Sequence, residues 1–150
     1  MIPNHKFPAG KKLQAKNCYI CGYDNPGGLR VPFYFDGARV NCEFVPGPEL
    51  CGFDNIVHGG IIYSLADEAM MHLIWASGSR AVTAEIIMRY HGFARVNEKI
   101  ALSAEFEDIS ARLVKAKCLL FDKDGKKIAT ARGKFLPFSK GDKDIFTKQF

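Results

Sequence analysis

Long uninterrupted apolar runs are missing from this chain of 150 residues. The amino terminus, MIPNHKFPAGKKLQAKN, has no apolar core of the kind a secretory signal requires, and the most apolar later stretch is broken by Asp67, Glu68 and His72. Neither a leader nor a membrane span is expected, and a cytoplasmic location is. Clustered charge of one sign is scarce too. The net charge is +5, but Lys11-Lys12 and Lys126-Lys127 are the only adjacent basic pairs. Without a basic stripe or a recognition motif, nucleic acid is not an expected partner, although a positive field still raises the local concentration of an anionic small molecule.

Cysteine is present in an odd number, five, scattered through a chain long enough to build its own core. A disulfide framework is therefore excluded, and a reducing compartment fits. There is one CxxC, Cys18-Tyr19-Ile20-Cys21-Gly22, and no second. Its spacing suits a zinc knuckle, but a tetrahedral structural site needs four ligands. A pair of reduced thiols is the expectation, with a site shared across a dimer axis as the alternative, and no metal or redox cofactor is called for. Cys42 and Cys118 fall in strand-like runs and are expected in the core. Internal repeats, heptads and low-complexity segments are absent as well.

What the chain does contain is 47% apolar and 25% charged residues, the proportions of a soluble single domain. Residues 1–28 are rich in turn formers and form an irregular lead-in; residues 29–138 carry the domain; residues 139–150 make a polar tail that should fray. Strand-like runs at Val31–Phe35 and Arg39–Val45 flank Asp36-Gly37, a two-residue hairpin signal. From Gly59 to about Ser77 apolar residues recur at helical spacing, with Gly78 as the stop. The polar positions Ser64, Asp67, Glu68 and His72 line one stripe, which on spacing alone is a solvent-facing edge. Beyond Arg80 the residues alternate: Val82, Ala84, Ile86, Met88 and Tyr90 on one face of a strand, with Thr83 and Glu85 on the other. Further strands run near Ile100–Phe106, Val114–Leu120 and Lys127–Leu136, the last following the turn at Asp124-Gly125. Two strands, one largely apolar helix and four hairpin-linked strands predict an α+β hotdog fold, a curved antiparallel sheet wrapped around one long helix.

The run Asn55-Ile56-Val57-His58-Gly59-Gly60-Ile61-Ile62, with Leu65-Ala66-Asp67-Glu68-Ala69-Met70 after it, resembles the phenylacetate-type branch of the hotdog thioesterases. The resemblance implies acyl-CoA hydrolysis by a homodimer or a dimer of dimers, with active sites at the subunit interface. It implies that His58 contacts the thioester, that the Gly59 N–H meets its carbonyl oxygen, that Asp67 is the working carboxylate, and that Thr83 helps to hold it or the water. An asparagine expected six residues before the histidine is Gly52 here, and Asn55 lies nearby but out of register.

These residue types suit the chemistry. Thioester hydrolysis builds negative charge on the carbonyl oxygen, and the first amides of a helix lack intrahelical partners while the helix dipole is positive there. Gly59 and Gly60 permit close backbone approach, and an aspartate in a partly dry position can activate water or attack directly. The nine-residue step from His58 to Asp67 turns through about 900° of helix, which puts the two on opposite sides of the axis and favours sites built from two chains. Gly60, Asn55, Glu68, Arg89 and Tyr90 are candidates for substrate contact, with Glu85 a fallback for Thr83. Glu68 is expected in an ion pair, with the working carboxylate through a one-residue misregister as its alternative, and His72 in a structural place. Arg89, His91, Arg95, Arg132 and Lys134 could meet CoA phosphates or be ordinary surface charge. The alternatives to hydrolysis are a non-catalytic acyl-CoA-binding domain and a hotdog enoyl-thioester dehydratase.

Overall fold

The helical pattern after His58 and the alternation after Arg80 both persist in three dimensions. The computed structural model describes residues 5–138; the tail expected from Ser139 lies outside them. Within that span the order is β1 (Lys11–Leu13), β2 (Phe33–Phe35), β3 (Val40–Phe44), a 3₁₀ turn (Pro48–Leu50), β4 (Cys51–Phe53), β5 (Ile56–Val57), α1 (Gly59–Ala76), β6 (Ala81–Tyr90), β7 (Ile100–Ile109), β8 (Val114–Phe121) and β9 (Lys127–Pro137). Seven strands form one antiparallel sheet in the order β1-β2-β3-β7-β8-β9-β6, while β4 and β5 make a separate hairpin.

Helix α1 touches every sheet strand from β2 to β6. Six strands at about 4.8 Å spacing are more than 20 Å wide, and a helix is only about 10–12 Å across. The sheet can meet α1 at both edges only by curving round it, as the hotdog arrangement requires. The contact is apolar: Leu65, Ala66, Ala69, Met70, Leu73 and Ile74 are fully buried against Phe33, Ala104, Ala116, Leu120, Ala131 and Phe135 in the same core. Burying each large aliphatic side chain contributes about 1.5–3 kcal/mol. The helix ends where expected, at Gly78, whose φ of 82° lets its N–H reach the Trp75 carbonyl at 2.9 Å. Cys42 and Cys118 are buried as expected, and Cys51 is exposed.

Three local expectations are corrected. The lead-in is not wholly irregular: β1 pairs with β2, and Leu13, Ile20 and Cys21 enter the core. A three-residue strand carries too little alternation to be seen without its partner. The first hairpin loop holds four residues, 36–39, because Asp36 Oδ1 accepts the N–H groups of Ala38 (2.9 Å) and Arg39 (2.7 Å) and so closes a wider turn. The third correction reaches the site. A bulge at Ala84 shifts the β6–β9 register, so Thr83 pairs with buried Phe135 and Glu85 with exposed Lys134. Thr83 therefore joins Ile86, Met88 and Tyr90 on the inner face. Glu85 points to the outer face, where it meets Lys134 Nζ at 2.7 Å, and it cannot stand in for Thr83.

Gly133 shows how tightly the helix sits. A Cβ there would overlap the Phe135 ring and come within 3.2 Å of Met70 Cε. Gly133→Ala should destabilise the fold by about 1–3 kcal/mol through overpacking, whereas Gly27→Ala, at an exposed and open position, should stay within about 0.5 kcal/mol of wild type. Urea midpoints of the two variants check this.

Candidate active site

The amino end of α1 is held from three directions. His58 N–H donates to the Leu50 carbonyl at 2.8 Å, seating the residue at the end of the β4–β5 hairpin. Its side chain then caps the helix: Nδ1 accepts the Gly60 N–H at 2.9 Å, so the ring proton is on Nε2. From the sheet, the Tyr90 hydroxyl donates to the Gly59 carbonyl at 2.7 Å. Burial raises the Tyr90 pKa, and the neighbouring Tyr63 adds to this, so the phenol keeps its proton. With Gly60 N–H taken by His58 and Ile61 N–H by the His58 carbonyl, the exposed Gly59 N–H is the first helix amide with no hydrogen-bond partner among the described residues. A dipole end and one open donor face solvent together.

The two departures noted in the sequence have local causes. A Cβ at Gly52 would lie 3.2 Å from both Cα and Cδ2 of His58, so the expected carboxamide would press on the capping ring. Asn55 occupies the β4–β5 turn with φ 68°, a left-handed position that asparagine tolerates, and its carbonyl accepts the Val96 N–H at 3.3 Å.

Eight residues along α1, Asp67 is half-buried and its Oδ1 accepts the Thr83 hydroxyl at 2.8 Å. Burial raises the Asp67 pKa, the Thr83 hydrogen bond opposes that rise, and the charge of Glu68 adds to it. A carboxylate made more basic than usual and fixed by one hydroxyl has an oxygen left for water. Gly59 and Asp67 are tied to the same strand, at Tyr90 and Thr83, so their separation is chiefly axial: about 12 Å at 1.5 Å per residue.

Glu68 turns elsewhere. It accepts the Cys18 thiol at 3.2 Å and lies 3.3 Å from Nε2 of His72, which is only 4% exposed. The polar stripe is thus not a solvent edge: Ser64 bonds back to the Gly60 carbonyl at 2.8 Å, Asp67 meets β6, and Glu68 and His72 are covered by the lead-in. Spacing on one helix could not reveal that cover, because it comes from residues fifty positions away. Of the basic residues, Arg132 pairs with Glu107 and Lys134 with Glu85, and His91 Nε2 lies 3.0 Å from the Thr130 hydroxyl. Arg89 and Arg95 are exposed without an ion pair among the described residues. A cavity of about 340 Å³ opens beside Glu68, Met71, His72 and Trp75, but His58, Gly59, Asp67 and Thr83 do not line it. The donor and the carboxylate lie instead beside β6.

A family model described as Thioesterase superfamily matches residues 54–129, just over half of the chain and all of the elements just described from His58 to Tyr90. The chain belongs to the thioesterase superfamily. Solved structures of other superfamily proteins share its fold. The Escherichia coli PaaI protein of the phenylacetic acid degradation operon matches with a TM-score of 0.70 at 17% identity, over 74% of this chain and 81% of its own. Zebrafish thioesterase superfamily member 2 gives 0.69 at 24% identity, over 77% and 89%. A hypothetical thioesterase of Streptococcus pneumoniae, solved with one aspartate changed to alanine, gives 0.66 at 12% identity, over 69% and 85%; it has also been solved with a threonine changed to alanine and with coenzyme A. No curated protein matches the sequence.

The Tyr90 contact makes a prediction for the amino end of α1. Tyr90→Phe should lower stability by about 0.5–1.5 kcal/mol, the net worth of one hydrogen bond, and should speed amide exchange in the first turn of α1, both measurable on the purified protein.

Proposed function

We propose that this chain is an acyl-CoA thioesterase whose sites form between two copies, the Gly59 N–H of one facing the Asp67–Thr83 pair of the other. The observation that carries the proposal is the hydrogen bond from Thr83 to a half-buried Asp67 on the inner face of an edge strand. Water attacks the thioester carbonyl carbon while Asp67 takes its proton; the Gly59 N–H and the helix dipole stabilise the oxyanion; the C–S bond then breaks and Asp67 returns the proton to the leaving thiolate, releasing the acid and the CoA thiol. Direct attack by Asp67, through an anhydride that water opens, uses the same geometry. His58 orients the thioester from its capping position. Arg89 and Arg95, unpaired and exposed, are suited to CoA phosphates, and Tyr90 and Phe93 to its apolar parts.

Two arguments support a second copy. About 12 Å of helix separates Gly59 from Asp67, whereas one carbonyl needs both within about 3 Å. And β6 is a ten-residue edge strand with Val82, Ile87 and Tyr90 exposed, a surface that soluble proteins cover or pair. Antiparallel pairing of two β6 strands about a two-fold axis at Ile87, with Ala84 bulged out of the count, would set Thr83 opposite the partner's Tyr90 on the inner face, and hence Asp67 near the partner's Gly59. The pneumococcal thioesterase supports the choice of residues: its altered aspartate and threonine are as far apart in its chain as Asp67 and Thr83 are here.

The test is thiol release from a panel of short-, medium-, long-chain and aryl-CoA esters. Asp67→Ala should lower kcat by about 10²–10⁴-fold while the chain stays folded. Gly59→Pro deletes only the donor, since proline suits the first helical position and the residue before it, His58, already has extended ψ of 132°. It should cost about 10²–10³-fold in kcat with stability unchanged. Binding of acyl-CoA without turnover by the wild type, or full activity in Asp67→Ala, would contradict the proposal.

A further inference from the structure

Three metal-ligating side chains converge where the lead-in crosses α1, and a fourth stands beside them. Cys18 Sγ, Cys21 Sγ and a Glu68 carboxylate oxygen all lie within 4.8 Å of one another, and His72 Nε2 is 3.3 Å from the same carboxylate. His72 is 4% exposed, and the Glu68 carboxylate is the polar contact of this nitrogen. One carboxylate oxygen thus meets both the Cys18 thiol and the His72 ring.

Two donor distances are already close to those of a tetrahedral centre, and His72 completes it by turning toward the thiols. Bonds of about 2.3 Å to sulfur and 2.0–2.2 Å to nitrogen and oxygen put donor atoms about 3.4–3.8 Å apart. Here Cys18 Sγ to Glu68 Oε1 is 3.2 Å and His72 Nε2 to the same oxygen 3.3 Å, within a small adjustment of that range. The turn that holds the thiols is shaped for it. The Ile20 N–H donates to Cys18 Sγ at 3.3 Å and the Ala15 N–H to Cys21 Sγ at 3.2 Å, the kind of bond that steadies thiolates. Gly22 N–H closes the turn on the Cys18 carbonyl at 2.9 Å, and a Cβ on Gly22 would overlap that carbonyl. Glu68 and His72, at i and i+4, share one helix face.

We infer that Cys18, Cys21, Glu68 and His72 bind one zinc ion per chain, which clamps the lead-in to α1. On the sequence alone the CxxC supplies two ligands and reduced thiols are the expectation; the helix of the same chain supplies two more. Two thiolates, a carboxylate and a neutral imidazole suit zinc, and four protein ligands leave no open position, so the site is structural rather than catalytic. It ties the turn around Cys18 to the residue next to Asp67 and covers the helix face that the sheet does not reach. This inference stands apart from the thioesterase proposal, because it concerns metal content and not turnover.

Elemental analysis of full-length protein purified without chelator, followed by chelator stripping and cobalt(II) titration of the reduced protein, tests it. Expected are about one zinc per chain and, with cobalt, strong visible bands of a tetrahedral centre plus a thiolate-to-metal charge-transfer band. Asp67→Ala should keep the metal in full, and the double variant Cys18→Ser, Cys21→Ser should lose it. Four outcomes would overturn the inference: no zinc and no cobalt band, a cobalt spectrum without thiolate charge transfer, a Cys18–Cys21 disulfide in the protein as isolated, or zinc retained by the double variant. The cobalt spectrum is read on the wild type, so failure of the variant to fold does not remove the test.

Discussion

Nine buried residues of α1 are spread over roughly 200° of its circumference at 100° per residue, more than a flat sheet can cover. The curvature of the sheet, the reach from β2 round to β6, and the crossing of the lead-in over the remaining flank are all ways of keeping that helix out of water. The same cover decides where chemistry can occur. Only the first turn, with its Gly59 amide, and the flank at Asp67 come out beside the β6 edge, and both are pinned there by side chains of β6 itself. Glu68, one residue from Asp67 and about 100° round the axis, is committed to Cys18 and His72 instead.

Pinning explains how the middle of a largely buried helix holds a carboxylate in a fixed position. Burial alone makes the Asp67 carboxylate more basic; the Thr83 hydroxyl keeps one oxygen oriented and moderates that shift. At the helix end, His58 takes the second amide and leaves the first, so the open donor is set by a cap and not by chance fraying. Gly52 fits the same arrangement, because a larger residue there would crowd the capping ring.

Much of this was legible along the chain, and the failures have physical reasons. Periodicity located α1 and the four strands after it, since an amphipathic or alternating run reports its own cover. The Gly78 stop was visible for the same local reason. What local pattern cannot report is pairing. Strand β1 exists only through its ladder with β2, the Ala84 bulge only through the register with β9, and the partners of Glu68 and His72 only through a lead-in fifty residues earlier. The bulge is the instructive case. A strict two-residue alternation gave Thr83 and Glu85 one face, and one extra residue separates them into an inner hydroxyl and an outer ion pair. In the folded chain it is distance along the helix, and not rotation about it, that separates Gly59 from Asp67, since both are tied to β6.

That two-chain architecture is most directly tested by mixing two inactive proteins. Gly59→Pro keeps a good carboxylate and Asp67→Ala keeps a good amide; after unfolding and refolding an equimolar mixture, half of the dimers carry both kinds of chain. Each mixed dimer has one site assembled from the two intact halves, so activity should return to about a quarter of the wild-type rate. A mixture no more active than its separate components would contradict sites shared between copies and place donor and carboxylate within one chain.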